Sequence, residues 1–336
     1  MNKFVSLFIV SSIAISTSCS TNITPIDQEI SISSNKLSFY QMEKNKYKTD
    51  VRKNSTTRGT TTGNIKYHTL KTKLLKSNSR ELVVYLPPSY TSSSTKKYPV
   101  FYMHDGQNIF DKATGAFGKE WYVDEKVEYL IQKNVIEEII IVGVYNGLDQ
   151  RINEYTYTPN SEHGGGNGKN YLDFLVKEVK PFIDKTYRTK SDRDNTAIGG
   201  SSLGGLISTY AAINYPNTFA KIASMSPSYW WNDGEAIRDS QNLKNNLTFW
   251  FDAGSREGSD PSVMVNFVNK MSSLAESKVG KENVLTYIDD DAGHNEEAWA
   301  ERIHGPIIHF FGKEKNFNKK ADLINRLMTL EEWSKI

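Results

Sequence analysis

From about residue 64 to about residue 312 the chain alternates apolar runs of strand length with longer segments of helical period. That alternation constrains the fold more than any other feature. The strand-like runs are Glu81–Leu86, ended by Pro87 and Pro88, then Pro99–Met103, Glu138–Val144, Thr196–Gly199, Leu247–Phe251 and Val284–Ile288. Glu138–Val144 is apolar almost throughout, as a strand covered on both faces would be. The helical segments are Trp121–Gln132, Tyr171–Tyr187 with Pro181 near a bend, Leu203–Asn214, Ser262–Ser277 and Glu296–Phe311. Such repetition predicts a mostly parallel central sheet with helices on both faces, an α/β fold. Residues 64–312 are expected to form one domain, long enough for a sizeable core. Hydrophobic residues make up 38% of the chain and charged residues 24%, an ordinary globular balance.

The flanks read differently. Residues 1–18 resemble a targeting segment: Lys3, an apolar stretch Phe4–Ile15, then Ser16, Thr17 and Ser18 before Cys19. Cys19 is the only cysteine, which excludes an intramolecular disulfide. Its position resembles the lipidated cysteine of bacterial lipoproteins, although Ser16 stands where those signals usually carry Leu. The implied partner is a membrane, reached through an N-terminal lipid anchor on Cys19, and the implied location is the bacterial envelope. Residues 19–63, rich in Ser, Thr, Asn and Lys, read as a flexible tether. Residues 313–336 read as a polar, partly helical tail. A net charge of +2 gives no reason to expect a nucleic-acid partner.

The chemistry concentrates in Gly200-Ser201-Ser202-Leu203-Gly204, a G-x-S-x-G pattern between a predicted strand and a predicted helix. Only Ser202 is centred in it. Such a turn holds a serine hydroxyl out of the sheet, near a helix N-terminus that favours developing negative charge. A serine needs a base. Of the six histidines (68, 104, 163, 294, 304 and 309), only His294 lies in a turn between a late predicted strand and a helix. His304 and His309 fall inside that helix. The acid belongs between Ser202 and His294, after a strand, where Asp252, Glu257 and Asp260 all qualify. An oxyanion hole requires backbone N–H groups from the residue after the nucleophile, Leu203, and from an earlier loop. The turn His104-Asp105-Gly106-Gln107-Asn108 offers Gln107, with Gly106 allowing close approach of backbone to substrate.

Four segments together resemble the putative-esterase family of α/β hydrolases. They are His104–Asp111, Gly200–Gly205, Ser226–Trp231 (Ser-Pro-Ser-Tyr-Trp-Trp) and Gly293–Trp299 (Gly-His-Asn-Glu-Glu-Ala-Trp). The family includes feruloyl esterases, enterochelin-type siderophore esterases, S-formylglutathione hydrolases and mycolyltransferases. The resemblance implies the α/β-hydrolase fold over residues 64–312 and a serine esterase. In feruloyl esterases the acid follows a Gly-Thr-Asn step, which Gly254-Ser255-Arg256 matches, so the resemblance favours Glu257, with Glu in place of Asp. The mycolyltransferases support Gln107. Tyr229, Trp230 and Trp231 follow a predicted strand end, where α/β ligands bind. Asn146 and Arg151 lie in a segment resembling the family's substrate region, and Arg151 could instead pair with Glu154.

No H-E-x-x-H motif, cysteine pair or dinucleotide fingerprint is present, so no metal or cofactor is expected. His163–Lys169 fails as a phosphate loop and reads as a mobile loop near the site. The expected function is hydrolysis of a small-molecule or polysaccharide ester, with feruloyl or acetyl groups as the expected acyl. The alternatives are a siderophore esterase or acyltransferase and, in another class, a non-catalytic glycan-binding lipoprotein.

Overall fold

A computed structural model describes residues 59–328. The targeting segment, Cys19 and most of the tether therefore lie outside the described residues, as do residues 329–336. In chain order the elements are β1 (Asn64–Lys71), β2 (Ser79–Leu86), β3 (Val100–His104), α1 (Val123–Gln132), β4 (Ile140–Val144) and α2 (Arg151–Tyr155). A two-residue pair, β5 (Pro159–Asn160) and β6 (Gly164–Gly165), precedes α3 (Gly168–Phe174), a π turn (Leu175–Val179) and α4 (Lys180–Thr186). Then come β7 (Thr196–Ser201), α5 (Leu203–Asn214), β8 (Lys221–Met225), α6 (Glu235–Asp239), β9 (Thr248–Gly254) and α7 (Pro261–Val279). The series ends with β10 (Val284–Asp289), α8 (Glu296–Arg302), α9 (His304–Phe311) and α10 (Phe317–Met328).

Among the described residues, eight strands form one sheet in the order β1-β2-β4-β3-β7-β8-β9-β10. From β4 to β10 every neighbouring pair is parallel, while β1 and β2 add an antiparallel edge. The period of two along each strand sorts its side chains into two cores. Val84, Tyr102, Val142, Ile198, Ile222, Phe249 and Phe251 face one helical layer, with Leu206 of α5 and Val268 of α7. Val83, Tyr85, Phe101, Met103, Ile141, Ala223 and Trp250 face the other, with Val127 of α1 and Ile307 of α9. The chain leaves β3 to form β4 on one side of it and returns as β7 on the other. The strand order therefore switches at β3 and β7, and the crevice beyond their carboxyl ends is where such sheets bind ligands.

Three expectations change. The single helix over Glu296–Phe311 is two, α8 and α9. Pro306 has no N–H to give the carbonyl of Arg302, so the ladder breaks there. Likewise the segment around Pro181 is not one α-helix: a π turn precedes α4. The flanks are also less separate than their composition implies. Thr60 and Thr62, read as tether, bond to Asp111, Glu120, Asp124 and Glu125. In the tail, α10 buries Ile324 and Leu327 in the second core. Among the described residues no helix is long and apolar enough to cross a membrane.

Candidate active site

Ser202 joins β7 to α5 with φ 59° and ψ −122°, a conformation that costs a residue with a Cβ about 1–3 kcal/mol. Local bonds hold it. Its N–H donates to the carbonyl of Met225 at 2.9 Å, and its carbonyl accepts from Leu206 and Ser228, each at 3.1 Å. The glycine before the pair of serines is required by packing: a Cβ on Gly200 would lie 2.9 Å from the Cβ of His104. That contact also places the β3 turn directly beside the serine turn.

The Ser202 hydroxyl lies 2.9 Å from Nε2 of His294, and Nδ1 of His294 lies 2.9 Å from Oε2 of Glu257. Burial pushes the Glu257 carboxyl up. The adjacent His294, the Ser226 hydroxyl and the Gly254 N–H outweigh this and hold it below the usual carboxylate range. An ionised carboxylate only accepts, so Nδ1 carries the imidazole proton and Nε2 is left to accept from Ser202. A second hydroxyl, Ser228 Oγ, lies 3.2 Å from Ser202 Oγ.

The other acid candidates are occupied elsewhere. Asp252 sits inside β9, fully buried, against Arg302 of α8 at 3.1 Å, and accepts from the Trp250 indole at 2.7 Å. Burial raises its carboxyl, with Arg302 opposing. Asp260 caps α7, accepting from Ser262 N–H. His304 and His309 are buried and pushed down to about 3, chiefly by burial.

On the β3 side, Asp105 adopts left-handed backbone with φ 55° and ψ 43°, followed by a tight turn over Gly106–Asn108. Gly106 is packed so closely that a Cβ would lie 2.4 Å from the carbonyl carbon of Gly143. Among the described residues, no backbone partner takes the N–H of Gln107 or of Leu203. The side chain of Gln107 accepts from Asn146 N–H at 3.2 Å.

Asn146 and Arg151, expected to touch substrate, are committed inward. Asn146 Nδ2 donates to Asp105 at 2.7 Å. Arg151 forks both Asp105 oxygens at 2.8 Å and is 1% exposed. Nor does Arg151 pair with Glu154, which accepts instead from Arg80 at 2.7 and 2.8 Å. Tyr155 completes the clamp by accepting from Asp105 N–H at 3.1 Å. Both residues thus support the turn bearing Gln107 through the side chain of its left-handed Asp105.

The three aromatic residues expected near the substrate are largely covered. Tyr229 is fully buried, its hydroxyl 2.7 Å from Thr209. Trp231 is buried and donates to the Thr158 carbonyl at 3.0 Å, and Trp230 packs beside it. The His163–Lys169 region is bonded rather than loose. Its glycine hairpin lies over Trp231, with Gly166 N–H on Thr156. These residues after a strand end pack inward because the earlier segment 158–166 covers them. Among the described residues no cluster of His, Cys, Asp and Glu is arranged for a metal.

The sequence reading missed Ser226, Arg302, Asp105 and Tyr155 as parts of the site. Ser226 lay within a quoted motif, but nothing in a lone Ser-Pro pair points at a carboxylate. Arg302 lay in the helix following His294.

The family model described as Putative esterase matches residues 76–310. The chain is 27% identical over 253 residues to the uncharacterized protein YbbA of Bacillus subtilis, spanning 72% of this chain and 96% of that protein. It is 27% identical over 183 residues to an endo-1,4-beta-xylanase/feruloyl esterase of Xylanibacter ruminicola, 54% of this chain but 24% of that protein. Solved structures share the fold, among them these two. An IroE-like serine hydrolase from Shewanella oneidensis matches with a TM-score of 0.61 and 22% identity, over 74% of this chain and 80% of that one. The enterobactin esterase FES from Shigella flexneri matches with a TM-score of 0.60 and 18% identity, over 74% and 60%. With its family model matched across most of the α/β domain, the chain belongs to the putative-esterase family of carboxylic ester hydrolases.

Proposed function

We propose that this protein hydrolyses esters through Ser202 as nucleophile, His294 as general base and Glu257 as the orienting acid. The observation carrying this is the unbroken chain Ser202–His294–Glu257, with both links at 2.9 Å. In this reading His294 takes the Ser202 proton as Oγ attacks the ester carbonyl, and the acyl–enzyme forms as the alcohol leaves with that proton. Water, deprotonated by the same imidazole, then releases the acid. The charged imidazolium is stabilised by Glu257, and the oxyanion by the N–H groups of Gln107 and Leu203.

For the substrate we propose a feruloyl or acetyl ester of a polysaccharide, supported by the xylanase-linked relative. A siderophore ester is the second reading. It is supported by 40% identity over 57 residues to the iron(III) enterobactin esterase of Escherichia coli.

The test incubates the full chain with p-nitrophenyl acetate, methyl ferulate and enterobactin, beside Ser202→Ala. Turnover is expected to fall by about 10³-fold or more in a folded Ser202→Ala variant. The ratio of ferulate to enterobactin rates chooses between the substrates. A folded wild type inert toward all three esters, or a Ser202→Ala variant of undiminished rate, would sink the proposal.

Lipidation of Cys19 remains part of the proposal. Cys19→Ala should abolish palmitate labelling and release the protein from the membrane fraction. Unchanged labelling would refute it.

A further inference from the structure

We propose that Ser226 is a positioning residue for the triad carboxylate, a hydroxyl clamp set by Arg302 and Trp299 that fixes which oxygen of Glu257 faces His294. The proposal rests on the triad reading above.

Ser226 follows β8 with φ 40°, strained for a residue with a Cβ, and is fully buried. Its N–H donates to the Asp252 carbonyl at 2.9 Å, which anchors it to β9. Its Oγ has three polar neighbours. Arg302 Nη2 lies at 2.9 Å, Trp299 Nε1 at 3.0 Å and Glu257 Oε1 at 2.5 Å.

Counting protons settles their directions. A guanidinium and an indole N–H only donate, so together they take both lone pairs of the hydroxyl. An ionised carboxylate only accepts. The single Ser226 proton is therefore directed to Glu257 Oε1. Gly254 N–H adds a second donor to the same oxygen at 2.6 Å. With Oε1 held twice, Oε2 is the oxygen left for His294.

Arg302 does not do this directly. Its Nη2 is 3.7 Å from Glu257 Oε1, too long for a hydrogen bond, and Ser226 bridges that gap. The charges facing this point are Asp252 from β9, Asp289 from β10, Glu257, His294 and Arg302 itself. Arg302 is largely neutralised by the two aspartates, so it sets the hydroxyl without drawing Glu257 away from His294.

The test uses the full chain, p-nitrophenyl acetate and Ser226→Ala. One hydrogen bond to a charged group sets the scale, so kcat should fall about tenfold to a hundredfold. KM should stay within about twofold, because substrate is not touched. The acid limb of the kcat profile should move to higher pH, since a Glu257 carboxylate deprived of a donor holds the proton on His294 more strongly. In a Glu257→Gln background the same substitution should cost less than about threefold, as residues acting through one another are not additive. A substrate-free readout is the low-field proton resonance of His294 Nδ1–H, expected to shift in Ser226→Ala.

An equal loss in both backgrounds, or an unmoved resonance and acid limb, would overturn the proposal. A wild type without turnover whose resonance still shifts in Ser226→Ala would retire the esterase reading and leave the clamp standing. If Ser226→Ala does not fold, Ser226→Cys, a weaker donor, is read by the same measures with an intermediate loss expected.

Discussion

Asp252 and Glu257 are both fully buried carboxylates near the end of β9, yet their surroundings give them different work. Asp252 faces Arg302 and the Trp250 indole. Glu257 faces His294. Removing the charge of Asp252 leaves a buried guanidinium with Asp289 and the more distant Glu257 as its counter-ions. Breaking a buried pair costs roughly 3–5 kcal/mol, and Asp252→Asn is expected to lose about 3 kcal/mol of unfolding free energy by urea titration. Its folded fraction should keep kcat within about tenfold, whereas Glu257→Gln should lose about 10³- to 10⁴-fold. The reverse ordering of kcat losses would make Asp252 the acid. The sequence could place all three carboxylates in the right stretch but not choose among them from pattern. The choice depends on where α8 delivers Arg302, a contact between distant parts of the chain.

Two elements meet at the oxyanion turn. β3 runs into a left-handed Asp105, and α2 supplies Arg151 and Tyr155 to hold it. The clamp is a property of the pair of elements, because its bonds run from one to the other. Arg151→Met, which keeps the packing of the stem but removes the fork, should let the turn drift and misplace the Gln107 N–H. Loss of a whole oxyanion donor costs about 10²–10³ in kcat, so a misplaced one should cost about tenfold to a hundredfold, with little change in KM. A rise in KM alone would return Arg151 to a substrate-binding role. At this scale most of the central strands were legible as apolar runs, and α5, buried on nearly every side, was marked by the serine motif before it; the short β8, with Lys221, Ala223 and Ser224 among its five residues, was missed. The split between α8 and α9, the π turn before Pro181 and the polar strand β1 were not legible either. Each of these three depends on a single proline or on edge pairing with β2, rather than on a repeating pattern.

Across the whole molecule the least legible boundary is the N-terminal one, where Thr60 and Thr62 have no apolar surface to announce that they dock. They dock by hydrogen bonds to acids. Thr62 N–H reaches Asp124 Oδ2 at 2.6 Å, Thr62 Oγ1 reaches Glu125 at 2.9 Å, and Thr60 Oγ1 reaches Glu120 at 2.6 Å. Burial, then the Glu125 carboxyl beside it, pushes the Asp124 carboxyl well above the usual range. Burial, only partly offset by the Thr60 hydroxyl, pushes Glu120 up to about 6. When the segment lifts away these groups meet water and return toward ordinary carboxylate values near 4. The docked state then binds more protons than the open one, so docking is strongest below the open-state value and weakens as pH rises past it, through about 6 for Glu120 and beyond for Asp124. Amide hydrogen exchange over residues 60–63, corrected for intrinsic rates, should therefore show greater protection at pH 5 than at pH 8. Asp124→Asn keeps an oxygen to accept from Thr62 and removes one of the two titrations, so its protection should vary less between the two pH values. Protection that rises with pH in the wild type would mean these carboxylates are charged when docked, and that some cation compensates them.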